Sequence, residues 1–100
     1  MRKYEIMFIV KPTLSEEDVK KVVENFSNVL TSNGAKINES QDLGQKELAY
    51  EINNFKSGFY HYFVVEANND AAINEFDRKA TLEEKGGSLI RHLTIKLDEE

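Results

Sequence analysis

Residues 2–10, RKYEIMFIV, put Tyr4, Ile6, Phe8 and Val10 on one side of an alternating run and Met7 and Ile9 on the other. Period-two alternation built from aromatic and β-branched residues predicts a strand. Apolar positions on both sides predict a central one. Pro12 ends the run. From Ser15 the period changes. Val19, Val22, Val23, Phe26, Val29 and Leu30 recur at helical spacing, with Ser15 and Asp18 resembling a capping box and Glu16 and Glu17 suited to the positive end of the helix dipole. Gly34 is a natural stop. Residues 35–53 predict a long strand interrupted near Asp42–Gly44, with Ile37 early and Leu48, Tyr50 and Ile52 alternating later. Asn53 through Gly58 predict a turn.

Residues 59–67, FYHYFVVEA, predict the third strand, with Phe59, His61, Phe63 and Val65 on one face and Tyr60, Tyr62, Val64 and Glu66 on the other. Asn68-Asn69-Asp70 supplies a cap for a weaker amphipathic helix marked by Ile73, Phe76 and Ala80. Gly86-Gly87 predicts a loose connection, and residues 89–97, LIRHLTIKL, a final strand. The order β-α-β-β-α-β predicts an α+β ferredoxin-like sandwich: a four-stranded antiparallel sheet with both helices on one face. One hundred residues without a repeat or linker predict a single domain over 1–100, with an acidic tail at about 98–100. Many unrelated functions share this fold, so function must come from particular residues.

Composition narrows the classes. The chain is 40% hydrophobic and 31% charged, suiting a soluble globular fold. No apolar run approaches the roughly 20 residues of a membrane-spanning helix. No charged-then-apolar leader precedes the first strand, so export is not expected. The absence of cysteine excludes disulfides, thiolate metal sites and cysteine nucleophiles, and it suits a reducing, cytoplasmic setting. A formal charge of -5 argues against a nucleic-acid binder acting alone, because affinity for phosphate comes largely from cations. The charge is uneven, however: Arg2 and Lys3 open the chain, and Asp98, Glu99 and Glu100 close it.

Enzymatic chemistry finds little support. His61 and His92 each stand alone in a strand without metal-ligand spacing, and the serines occupy caps, turns and exposed faces. Glu16-Glu17-Asp18 suits a helix start better than a cation site, and Gly86-Gly87-Ser88 lacks the lysine of a phosphate loop. Acylphosphatases share the predicted fold and hold phosphate on backbone amides after the first strand, together with an arginine. The matching loop here, Lys11-Pro12-Thr13-Leu14, has neither glycine nor arginine, and Pro12 has no amide proton. No catalytic residue, metal ligand or cofactor is assigned.

If Phe59, Phe63 and Val65 lie under the helices, Tyr60 and Tyr62 face the open side of the sheet, where tyrosine can stack on bases or pack against a protein. The glycine-aromatic run of an RNA-recognition motif is absent, so RNA contacts are expected mainly at strand ends and loops.

MRKYEIMFIVKP, LTSNGAKI, GQKELAYEI, SGFYHY, EFDR and LIRHLTIKL, in that order over nearly the whole chain, resemble the bacterial small-subunit ribosomal protein S-six family. The resemblance implies the fold derived above and a non-catalytic place in the ribosome, binding small-subunit rRNA together with ribosomal protein S-eighteen. A basic partner would supply phosphate neutralisation that an acidic chain lacks. Carried over residue by residue, it implies rRNA contacts at Arg2, Lys3, Tyr4, Lys46, Arg91 and His92, with the arginines as bidentate donors and Lys46 as a mobile point charge. The parity of Tyr4 with Ile6 and Phe8 equally suits a core place. The long second strand, an edge in this topology, could accept the partner protein.

Two departures from the family pattern bear on these residues. Leu43 stands where the family usually has tryptophan, and Gln45-Lys46-Glu47 replaces a basic run, so either RNA contact there is weaker or the stretch faces the partner. The EEKGGSL stretch is longer and richer in glycine than the family pattern. The alternative from another class is a dimeric ferredoxin-like regulatory domain holding a small ligand between sheets.

Overall fold

The computed structural model describes residues 2–52 and 54–97; the expected acidic tail lies outside them. The elements follow the expected order: β1 (Arg2–Val10), α1 (Glu16–Ser32), β2 (Lys36–Ile52), β3 (Phe55–Ala67), α2 (Ala71–Gly86) and β4 (Leu89–Leu97). The strands form one sheet in the order β2-β3-β1-β4, and every neighbouring pair is antiparallel. β1 is therefore interior, as its two apolar sides predict, while β2 and β4 are edges.

Both helices lie against one face of the sheet. Phe8 sits at the centre of the core, its ring 5.2 Å from Phe26 of α1, 5.7 Å from Phe63 of β3 and 6.3 Å from Phe76 of α2. Phe26 meets Phe76 edge-on at 5.1 Å, so the two helices touch through the rings that also anchor them to the sheet. Ile6, Phe8, Val10, Leu30, Val65, Phe76 and Leu89 are wholly buried.

The helix starts follow the side chains. The Asp18 amide donates to Ser15 Oγ at 3.2 Å, capping α1. At α2 the Ala71 amide donates to Asn69 Oδ1 at 2.9 Å, whereas Asp70 makes no side-chain cap bond and turns its carboxylate to β1.

Three boundaries differ from the sequence expectation. β3 begins at Phe55 rather than Phe59: Ile52 pairs with Phe55, and Asn54 takes a left-handed φ of 68°. Gly58, expected in the turn, lies inside β3, where a Cβ would stand 2.4 Å from Ile9 Cγ2 and 3.0 Å from the Val10 carbonyl oxygen. Glycine marks a close crossing here, not a turn. The expected interruption near Asp42–Gly44 is a bulge within a continuous β2, with Gly44 at φ 78° and its amide donating to Asp42 Oδ1 at 2.9 Å. Lastly, α2 runs through Gly86, and the connection beyond it is tied down: Ser88 Oγ donates to Glu83 Oε1 at 2.8 Å, and the Lys11 amide to the Ser88 carbonyl at 2.9 Å.

Candidate nucleic-acid interface

The six positions singled out in the sequence separate into two groups at opposite ends of the sheet. Arg2, Lys3 and Tyr4 lie at the start of β1. Arg91 pairs with Ile9 and Lys46 with Gly58, at the other end. From Arg2 to Ile9 the strand covers roughly 23 Å at about 3.3 Å per residue. The cations therefore do not form one patch.

At the first end, Arg2 Nη1 donates to Asp70 Oδ1 at 2.7 Å, and Lys3 Nζ stands 3.8 Å from Glu66 Oε1. The Tyr4 ring is buried in the core, and its hydroxyl donates to the same Asp70 oxygen at 2.6 Å. The Tyr4 bond and the Arg2 bond hold the Asp70 carboxyl below its usual range. Asp70 in turn raises the Tyr4 hydroxyl, with burial adding to the effect. Tyr4 thus belongs to the core and fixes, through Asp70, where Arg2 points.

At the second end, alternation along β4 decides the roles. Arg91, Leu93 and Ile95 are exposed on the open face, with Leu93 at 51% and Ile95 at 47% exposure. His92 turns the other way. Its Nε2 is 2.8 Å from Asp77 Oδ1, its Nδ1 contacts Glu84, and its ring meets Phe76 edge-on at 6.0 Å. The ring clasps β4 to α2. Arg91 Nη1 reaches across the open side to the Tyr50 hydroxyl of β2 at 3.4 Å, a long contact that leaves both side chains exposed. The β2–β3 hairpin carrying Lys46, Tyr50 and Lys56 extends beyond the last β1 pairing, at Phe59, and arches toward Arg91.

Tyr60 and Tyr62 lie on the open face, as the alternation predicts, and both are half-buried. Burial and the neighbouring Glu5 carboxylate raise the Tyr62 hydroxyl above its ordinary value. With Met7, Ile9, Leu93 and Ile95 they give the open face an apolar centre with charges at its ends.

Sequence reasoning missed three pairings. Asp70 looked like a cap, and only the fold brings it 66 residues along the chain onto Tyr4. Tyr50 looked like an alternating strand residue. His61, 8% exposed, lies under α1 between Phe8 and Phe63, its Nε2 sharing a 2.9 Å hydrogen bond with Ser40 Oγ. Burial pushes the His61 imidazole below its ordinary 6.5, against the opposing field of Asp42. No local signal in one sequence marks any of these pairings.

Among the described residues, no cluster of three His, Asp or Glu side chains is arranged to hold a metal ion, and no helix is long and apolar enough to cross a membrane. A four-stranded antiparallel sheet in the order β2-β3-β1-β4, with two helices on one face and the other face bare, is a ferredoxin-like α+β sandwich. The family model of ribosomal protein S6 matches residues 3–96, and the chain belongs to that family: a structural, non-enzymatic protein of the small ribosomal subunit. Among solved structures, the chain is similar to the 30S ribosomal protein S6 of Thermotoga maritima, at 26% identity and a TM-score of 0.86, over 96% of this chain and 87% of that one. It is also similar in fold to the Arabidopsis thaliana protein At3g17210, at 17% identity and a TM-score of 0.55, over 100% of this chain and 96% of that one. The family model carries the family; the At3g17210 match carries the fold alone.

Proposed function

We propose that this chain binds small-subunit rRNA as one half of a protein pair, with protein S-eighteen as the other. The observation that carries this reading is the distribution of charge over the bare sheet. The chain has a formal charge of -5, and of its sheet-end cations Arg2 and Lys3 already face Asp70 and Glu66. Such a surface can orient on a phosphate backbone, but a basic partner must add most of the neutralisation.

Arg91, Lys46 and the Tyr50 hydroxyl form the more available contact set, because no carboxylate is paired with Arg91 or Lys46 among the described ion pairs. Arg91 supplies the bidentate donor, Tyr50 a ring for stacking, and Lys46 a mobile charge. Arg2 contributes at the far end, aimed by Asp70 and Tyr4. His92 acts through the backbone: by clasping β4 to α2 it fixes the alternation that turns Arg91 outward. Tyr4 and His92 are thereby positioning residues in this reading. The exposed Leu93 and Ile95 suit a protein neighbour beside the RNA.

The test is binding to a small-subunit rRNA fragment across a salt series, with and without protein S-eighteen. Tight binding only with the partner is the expected result. Tight binding by this chain alone at physiological salt would overturn the shared-surface reading.

A further inference from the structure

α1 crosses the β2–β3 side of the sheet without filling the space above it. A cleft of about 340 Å³ opens there between α1 and the sheet, walled by Val19 and Val23 of α1 and floored by Phe59, His61 and Phe63. Ser40 and Asp42 of β2 line its outer side. Both point toward the helix layer, since they pair with Phe63 and His61, and Ser40 bonds the buried His61 ring. β2 is an edge strand, so its outward N–H and C=O groups have no neighbour within the sheet. Its pairing with β3 is interrupted by bulges between Ile37 and Glu39 and between Asp42 and Gly44, and Glu39–Asp42 forms a regular stretch between them.

These features fit one occupant. A strand added beside Glu39–Asp42 would send every second side chain to the helix side of the sheet, and that side is where the cleft lies open. Backbone pairing would give affinity; the cleft would select the side chain. Its walls are apolar and of a size for one aliphatic or aromatic residue. Glu24 and Asp42 line the window with Lys20 as the one cation among them, so the surroundings favour a basic segment. We propose that the β2 edge at Glu39–Asp42 takes up an extended basic segment of a partner protein and seats one of its apolar side chains in the cleft between α1 and His61. This rests on the reading of the chain as one half of a protein pair.

A nitrogen-15 NMR titration with synthetic seven-residue peptides tests it. The probe alternates lysine with threonine and carries leucine at its centre; the comparison peptides replace that leucine with alanine, or the lysines with glutamate. The leucine peptide should shift the amides of 39–42 and bind at least about tenfold more tightly than either comparison peptide. Ser40→Tyr, which fills the cleft from an exposed position, should weaken binding by about the same factor. Asn74→Tyr, on an exposed position of α2 away from this edge, should leave it within about twofold. Ser40→Ala removes the same His61 bond while leaving the cleft open, so it should bind the leucine peptide more tightly than Ser40→Tyr does. Equal affinity for the leucine and alanine peptides, or unchanged binding by Ser40→Tyr, overturns the proposal. If the peptides fail while the chain and protein S-eighteen still assemble on rRNA, only this inference falls. If the pair does not assemble on rRNA, the functional reading falls with it.

Discussion

The hydroxyl of Tyr4 donates to Asp70 Oδ1 at 2.6 Å, joining a ring buried in the core to the residue that holds Arg2. One carboxylate oxygen thus serves both a core residue and a surface cation. Tyr4→Phe keeps the ring but removes the donor. It should lower the melting temperature by a few degrees and leave the fold intact by circular dichroism. If the bond aims Arg2, rRNA assembly in the presence of the partner should weaken for Tyr4→Phe in the same sense as for Arg2→Ala, though less.

Gly58→Ala should be markedly destabilising although alanine suits a strand better than glycine does. The added methyl would meet Ile9 Cγ2 at 2.4 Å, the Val10 carbonyl oxygen at 3.0 Å and Ile90 Cδ1 at 3.2 Å. Side chains can yield, but the carbonyl belongs to the sheet ladder. A loss of about 1–3 kcal/mol in urea unfolding is expected, the usual range for overpacking. The same change at Gly86, with open space around it, should cost little.

His61 gives the stability a defined acid limb. Its folded-state value lies below the ordinary 6.5 because burial penalises the imidazolium. Below about 6.5 the unfolded chain therefore takes up a proton that the folded chain resists, and acid favours unfolding. The contribution is fully present above that point and is lost as pH falls toward the folded-state value. The slope from this residue can reach one proton, about 1.4 kcal/mol per pH unit. His61→Gln should flatten the limb in urea midpoints measured from neutral pH downward. An unchanged slope would mean that carboxylates alone account for it.

The periodicities located every element, because burial on one face enforces a period of two or 3.6 wherever a core exists. Phe8, Phe26, Phe63 and Phe76, which meet at the centre, all fall on buried faces by spacing alone. The glycines are harder to read. Gly44 and Gly58 look like punctuation, yet one sits in a bulge and the other at a close approach of β3 to β1. A single chain cannot distinguish a glycine needed for its φ from one needed for its missing side chain. The site is legible in part: alternation along the third strand places Tyr62 on the open face and His61 under the helices. The family resemblance also set Arg91 and His92 side by side as two candidate RNA contacts, although neighbours on a strand face opposite ways. Asp70 and Tyr50 acquire their roles only through pairings set by the register of the whole sheet.

That opposition within β4 gives the most discriminating pair of variants. Arg91 is exposed and contacts only Tyr50 among the described side-chain bonds, so Arg91→Ala should leave the urea midpoint nearly unchanged. Its effect should fall on rRNA binding with the partner present, weakening it and reducing the slope of affinity against salt by roughly one unit for each phosphate no longer neutralised. His92→Ala should act in reverse. It leaves Asp77 and Glu84 facing each other across the vacated space and removes the edge-on packing with Phe76, so the midpoint should drop clearly. The salt slope of the protein that remains folded should stay as in the parent, since Arg2, Lys3, Lys46 and Arg91 are all still in place. If instead His92→Ala flattened the salt dependence with stability intact, the histidine would be the RNA contact and the clasp to α2 incidental.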